Sequence, residues 1–193
     1  AWGFNGFSGG IDFGIGTGDF TLEYWLRAGA MSVFSPSAKY LFLITDFDNY
    51  RLRMYYEKTA TTTYLQPYAF VSGEELYFSN QERSSDWVHV CYERHSGVLR
   101  AYIDGVFLGA SSGNLGTASI YTIGFSFFRV GNVYLQFEFD IDELRISRAA
   151  RYGTGSNNFT PPSAPFGKIA GGKLGFKPAL SGKNNRISIT EAP

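Results

Sequence analysis

The chain has 193 residues, 44% of them hydrophobic and 18% aromatic, with 23 glycines. That is enough apolar material for one folded core, and it excludes a chain that is disordered throughout. Its 17 basic and 17 acidic residues cancel, which argues against a nucleic-acid partner, and a single cysteine, Cys91, excludes an intrachain disulfide.

In chain order, the first periodic segment sets Phe20, Leu22, Tyr24 and Leu26 against Thr21, Glu23, Trp25 and Arg27. Period two marks a strand with one apolar face turned to a core and one mostly polar face turned away. Residues 40–45 and 50–56 are the next expected strands, joined by the turn-forming run Asp46, Phe47, Asp48 and Asn49. Residues 87–93 follow, with Val88, Val90 and Tyr92 on one side. Trp87 is expected inside, so that its removal would cost roughly 3–5 kcal/mol. Cys91 reads as a small buried hydrophobe.

Ser96-Gly97 then turns the chain into a return strand carrying Leu99, Ala101 and Ile103. Asp104-Gly105 turns it again into a short strand at 106–108, since Gly tolerates the positive φ of a tight hairpin. Further strands are expected at 119–123, 134–141 and 144–147. Phe137, Phe139 and Ile141 are one step out of phase with Leu144 and Ile146. A β-bulge near Asp142-Glu143 would restore the phase.

No segment shows convincing helical periodicity, and no apolar run reaches the roughly 18–20 residues of a membrane span. The run Phe159 to Phe166, FTPPSAPF, has too many prolines for a central strand and reads as a surface strap. Up to Phe166 there are 12 basic and 16 acidic residues; after it there are 5 and 1. The expected organisation is therefore a domain at 1–166 and a basic extension at 167–193. The fold class is all-β, a two-sheet antiparallel jelly-roll sandwich with an extended C-terminal tail. Lys173, Lys177 and Arg186, with Ile187 and Ile189 in a short alternating pattern, make the extension a candidate docking strand for another subunit.

Several motifs carry a resemblance. Residues 18–27, GDFTLEYWLR, resemble the "dFTiEfWvr" strand of laminin-G-like, concanavalin-A-like jelly-roll domains. Trp87-Val88-His89-Val90 and LRAYIDG at 99–105 resemble their "W-x-H-v … l-r-x-Y-v-D-G" hairpin, and IDELRI at 141–146 resembles their closing strand. Arg151-Tyr152 and FTPP at 159–162 are similar to the "aRY … FtpP" ending frequent in bacteriophage tail proteins. The resemblance covers about residues 2–166. It implies two curved antiparallel sheets, glycan or protein recognition in many members, and Ca²⁺ at the rim in some.

Three sets of residues are candidates for chemistry. Glu138, Asp140 and Glu143 have an E-x-D-x-x-E spacing that resembles the catalytic strand of laminarinase-like glycosidases, where paired carboxylates lie about 5 Å apart. The plainer reading makes Asp142 and Glu143 part of a closing strand, and no enzyme is expected. Asp46, Asp48 and Asn49 offer oxygen ligands for Ca²⁺ or are ordinary turn residues; no cofactor is expected. Arg51, Arg53, Tyr55, Tyr56, Tyr64 and Tyr68 suit either a glycan or a protein interface. His89 reads as a structural hydrogen-bonder and His95 as solvated.

Together with the resemblance, these features lead to an expected structural or binding module of a bacteriophage virion: a tail, fibre or capsid-associated protein. It would assemble with other virion subunits, as a homo-oligomer, and recognise a host surface. It would be made in the bacterial cytoplasm, with no nucleic acid and no membrane span. The alternatives are a lectin-like glycan-binding adhesin domain and a laminarinase-like glycoside hydrolase.

Overall fold

The structure is a computed structural model that describes residues 17–28, 39–45, 50–58, 63–83, 87–113, 115, 122–123, 127–130, 133–136, 139–153 and 155–163. Among these residues every regular element is a strand. One sheet has five antiparallel strands in the order β13 (Phe139–Ser147), β1 (Phe20–Ala28), β7 (Val88–His95), β8 (Val98–Ile103) and β9 (Val106–Ser112). A second sheet runs β10 (Thr122–Ile123), β2 (Lys39–Thr45), β3 (Tyr50–Lys58), β4 (Thr63–Val71) and β5 (Glu74–Tyr77), with β6 (Gln81–Arg83) also paired to β4. β11 (Phe127–Val130) and β12 (Val133–Gln136) pair only with each other among the described residues.

The apolar parity of the strands builds the core. Phe20, Leu22, Tyr24 and Leu26 of β1, Val88, Val90 and Tyr92 of β7, and Leu99, Ala101 and Ile103 of β8 are all buried. They form one cluster with Leu52 and Met54 of β3 and Leu65, Ala69 and Val71 of β4 on the other sheet. Burying each large side chain contributes about 1.5–3 kcal/mol. Phe78 and Tyr92 meet edge to face across the interior, and the Tyr68 amide donates to the Tyr92 hydroxyl at 3.3 Å.

Three hairpins close on two-residue turns, Ser72-Gly73, Ser96-Gly97 and Asp104-Gly105, with positive φ at both positions of each. This conformation matches the twist of the flanking strands. At Gly105 the demand is absolute. A Cβ there would stand 1.8 Å from the Phe159 carbonyl oxygen, because the Phe159 amide donates to the Gly105 carbonyl at 2.9 Å.

The expected bulge is present. Arg145 pairs with Glu23 and Asp142 with Trp25, so β13 places two residues, Glu143 and Leu144, opposite Tyr24 alone. Glu143 takes φ +53°, the extra residue of the bulge. Ile141 and Ile146 thereby come opposite Leu26 and Leu22, and Leu144 and Ile146 are buried.

Four expectations are corrected. The segment 134–141 is divided between β12 and β13, and 144–147 continues β13. Trp87 precedes β7 and is 37% exposed, with the Arg27 guanidinium 5.0 Å from its ring centroid. Val88, Val90 and Tyr92 own the inward parity, which leaves Trp87 no place in the core. Tyr68 is fully buried. The "polar" face of β1 is not solvated either: Thr21 and Glu23 are as buried as the apolar face. Strands β4, β5 and β6 were not anticipated, because Pro67 and the turn residues interrupt a mixed sequence there.

Gly105→Ala is expected to lose at least about 2 kcal/mol in urea unfolding, since both the turn and the strap contact forbid a Cβ. An unchanged midpoint would show that the close approach of Phe159 to Gly105 is absent in solution.

Candidate functional site

The outer face of the five-stranded sheet carries a buried polar network around Glu23. Strand pairing lines Glu23 up with Cys91 and Arg145, and Thr21 with Glu93 and Ser147. Residues 149–153 and 155–161 pass across the middle of this face. Glu23 Oε1 accepts from Arg145 Nε at 2.7 Å, with Arg145 Nη2 at 2.5 Å. Glu23 Oε2 accepts from the Tyr152 hydroxyl at 2.5 Å and lies 3.1 Å from His89 Nε2. Arg151 Nε stands 3.9 Å from Oε1.

Glu93 is the second anchor. Its carboxylate accepts the backbone amides of Tyr152 at 2.8 Å and Gly153 at 3.0 Å. Thr21 Oγ1 donates to the Ala149 carbonyl at 2.8 Å and accepts the Arg151 amide at 3.0 Å. Tyr152 stacks on Phe159 at 3.7 Å, and Phe159 meets Tyr102 and His89 edge-on. The Tyr102 hydroxyl donates to the Gly155 carbonyl at 2.6 Å, and Asn158 Oδ1 accepts the Phe107 amide at 2.9 Å.

The electrostatics follow from burial and partners. Burial pushes the Glu23 carboxyl upward, but His89, Tyr152 and Arg145 outweigh it and hold the group below its ordinary value. The Tyr152 phenol is pushed far up by burial and by the adjacent Glu23 charge. Cys91 is buried, and burial with the charges of Glu23 and Glu93 raises its thiol, which makes it unreactive. Both Glu23 oxygens are taken by protein donors. This carboxylate holds the strap, and it has no lone pair to give a substrate.

The second sheet positions the aromatic candidates. Register sets Arg53 opposite Tyr68, Tyr55 opposite Gln66, and Tyr68 opposite Tyr77. Positions 53, 55, 66, 68 and 77 therefore share the face away from the core, and position 64 joins them by alternation. Position 56 pairs with the core residue Leu65 and belongs to the inward side of the pleat. Arg51 is on β3; the side chains of Arg51, Arg53, Tyr55 and Tyr56 lie outside the described residues. Tyr77, missed in the sequence, is 49% exposed on this face. Its hydroxyl donates to Glu75 Oε2 at 3.0 Å, and its ring stands edge-on to Tyr68 at 5.0 Å. Gln66 is committed to the Phe78 carbonyl at 2.9 Å.

The other candidates are only partly placed. Asp140 pairs with Arg27 on β13 and Glu143 occupies the bulge, while Glu138 lies outside the described residues. Asp46, Asp48 and Asn49 lie outside them too, as do Lys173, Lys177, Arg186, Ile187 and Ile189. Among the described residues no His, Cys, Asp and Glu cluster suits a metal ion, and no helix is long and apolar enough to cross a membrane. His89 takes the expected structural role on Glu23. His95, expected in solvent, is half-exposed and lies 3.2 Å from Asp19.

The family model of the concanavalin A-like lectin/glucanases superfamily, of laminin-G type, matches residues 8–153. Among solved structures, an alginate lyase of Pseudomonas aeruginosa is 13% identical with a TM-score of 0.50, over 71% of this chain and 67% of that one. The native heptameric SAP-like pentraxin of Limulus polyphemus is 14% identical with a TM-score of 0.47, over 73% and 70%. Carbohydrate binding module CBM66 of Bacillus subtilis is 12% identical with a TM-score of 0.42, over 67% and 74%. At these identities the likeness is one of fold alone. A comparison with curated proteins finds no match.

Glu23→Gln breaks the buried ion pair with Arg145 and is expected to cost about 3–5 kcal/mol, because a buried charge loses its opposite charge. The acid dependence has a definite sign. A carboxyl held below its ordinary 4.5 stabilises the fold fully above that value, and the contribution is lost as pH falls toward the folded value. Urea midpoints between pH 3 and 7 check this: the wild type should weaken over the acid limb, and Glu23→Gln should show a shallower limb. Equal stability of the two proteins at pH 7 would refute the assignment.

Proposed function

Because the chain belongs to the concanavalin A-like lectin/glucanases superfamily, we propose that it is a non-catalytic glycan-binding module. The observation that carries the reading is the outer face of β3, β4 and β5, where the exposed Tyr77 ring stands beside Tyr68 with the Glu75 carboxylate against its hydroxyl. A phenol ring stacks on the apolar C–H face of a sugar, and a neighbouring carboxylate accepts from the hydroxyls. Tyr64, half-buried further along β4, extends the same row. Arg53 and Tyr55 hold adjacent register positions on β3 and belong to the proposed site.

The two carboxylates under the strap are unsuited to hydrolysis. A retaining glycosidase needs two carboxyl groups about 5 Å apart and open to substrate. Glu23 and Glu93 are instead fully buried and engaged by the strap. The module's proposed setting is a virion tail or fibre, made in the bacterial host, where host-surface glycans are the ligands and neighbouring subunits the partners. Support for that setting comes from the ending Arg151-Tyr152 and FTPP, which resembles phage tail proteins. Assembly would use the basic extension at 167–193 as a strand added to another subunit.

A glycan array tests the function. The wild type should bind a defined set of glycans. Tyr77→Ala should lose that binding by at least about tenfold while its thermal midpoint stays within about 2 °C, because the ring is half exposed. Full retention of binding in Tyr77→Ala would move the site elsewhere, and an empty array would sink the glycan reading.

A further inference from the structure

The outer face of the second sheet carries one arrangement twice. At one end the Tyr77 ring is 49% exposed, and its hydroxyl donates to the exposed Glu75 at 3.0 Å. At the other end Tyr64 is half-buried, and β6 sets the exposed Glu82 opposite it. Register fixes the separation. Tyr77 pairs with Tyr68, which lies four residues along β4 from Tyr64. With a rise of about 3.4 Å per residue and a strand spacing of about 4.8 Å, positions 77 and 64 are about 14 Å apart. We propose that Tyr77 and Tyr64 are two platforms of one row, and that the ligand is a run of sugars within an extended chain, not a single terminal sugar.

The spacing selects the length of the ligand. A pyranose advances an extended chain by about one strand spacing, so about three such steps separate the two platforms. A tetrasaccharide is the shortest chain that reaches both. One stacked ring holds a sugar weakly. Linking the sugars makes the second contact intramolecular, so affinity rises with chain length until both platforms are covered and then levels off. Glu75 and Glu82 put a carboxylate, an acceptor for sugar hydroxyls, beside each platform. These groups are strung along the strand direction instead of enclosing one ring, which suits a chain passing over the sheet.

Both platforms are held before a ligand arrives. The Tyr77 ring is oriented by its edge contact with Tyr68 at 5.0 Å and by its bond to Glu75, while about half of its surface stays exposed for stacking. Tyr64 sits in mid-sheet, paired with β3 on one side and β6 on the other. Side chains fixed in this way lose little freedom on binding. Between the platforms, Tyr68 is fully buried and the Gln66 amide is tied back to the Phe78 carbonyl at 2.9 Å. The floor of the row is thus a covered phenol and a tethered amide, over which the middle sugars of a chain can lie.

This inference rests on the glycan-binding reading of the Tyr77 face, and the length of the ligand separates the two. Isothermal titration calorimetry with the cello-, laminari-, manno-, xylo- and malto-oligosaccharide series, each from monosaccharide to hexasaccharide, is the test. In at least one series the affinity of the wild type should rise by at least about tenfold from disaccharide to tetrasaccharide and level off beyond it. Tyr64→Ala should abolish that rise and leave the disaccharide affinity unchanged. Tyr64→Phe, which keeps the ring, should keep the rise. Tyr77→Ala should weaken every length. A monosaccharide bound as tightly as its tetrasaccharide overturns this inference and leaves the glycan reading standing. So does a rise that survives in Tyr64→Ala, or a loss in Tyr64→Ala that is equal at all lengths. Binding on the glycan array only to single terminal sugars, with none of the series bound, overturns it as well. An empty array together with no binding in any series removes the inference and the reading on which it rests.

Discussion

The structure depends on one buried charge. Glu23 sits on the second strand from the edge of its sheet with no exposed surface. Taking a carboxylate out of water costs several kcal/mol unless donors replace the lost hydration. Here Arg145 comes from β13, His89 from β7, and Tyr152 from the strap. Three distant segments of chain meet at this carboxylate, and the loss of any one removes a donor from the buried charge. Glu93 repeats the arrangement one row away, with the backbone amides of Tyr152 and Gly153 as donors.

This constraint gives β1 two interiors. Its Phe20, Leu22, Tyr24 and Leu26 side pack in the apolar core between the sheets, while Thr21 and Glu23 lie in a polar core under the strap. The apolar interior supplies area-proportional, non-directional stabilisation. The polar one supplies direction, since donors and acceptors fixed on strap and sheet favour one register of strap on sheet. The Gly105 turn belongs to the same device, because Phe159 docks against its backbone.

Function is left to whatever the two interiors do not consume. The strap covers the middle of one outer face and takes Glu23 and Glu93 out of reach of a substrate. Among the described residues the exposed rings are Tyr77 on one sheet and Trp87, beside Arg27, on the other. Both are aromatic rings with polar neighbours, one on β5 and one just before β7, a chemistry suited to recognition. A scaffold held this firmly by its own buried charge can present such rings with little loss of entropy on binding.

Local pattern determined much by itself. Alternation in residues 20–26, 88–92 and 99–103 identified the inward side of each strand, because one pleat has only two faces. Ser96-Gly97 and Asp104-Gly105 marked hairpins through their backbone conformation, and the phase slip between Ile141 and Leu144 located the bulge. Trp87 was misread because hydrophobicity was weighed above parity; its odd position relative to Val88, Val90 and Tyr92 already placed it outside. Other features belonged to tertiary structure alone. Nothing near Glu23 in the chain announces that Tyr152, 129 residues later, will cover it. A polar residue on an alternating strand reads as solvated until a remote segment folds over it. Tyr68 and Tyr77 likewise hold paired positions on one face, yet one ring is fully buried and the other half exposed. Sequence pattern specifies which face a residue occupies, while the layers that pack on that face decide whether it meets water.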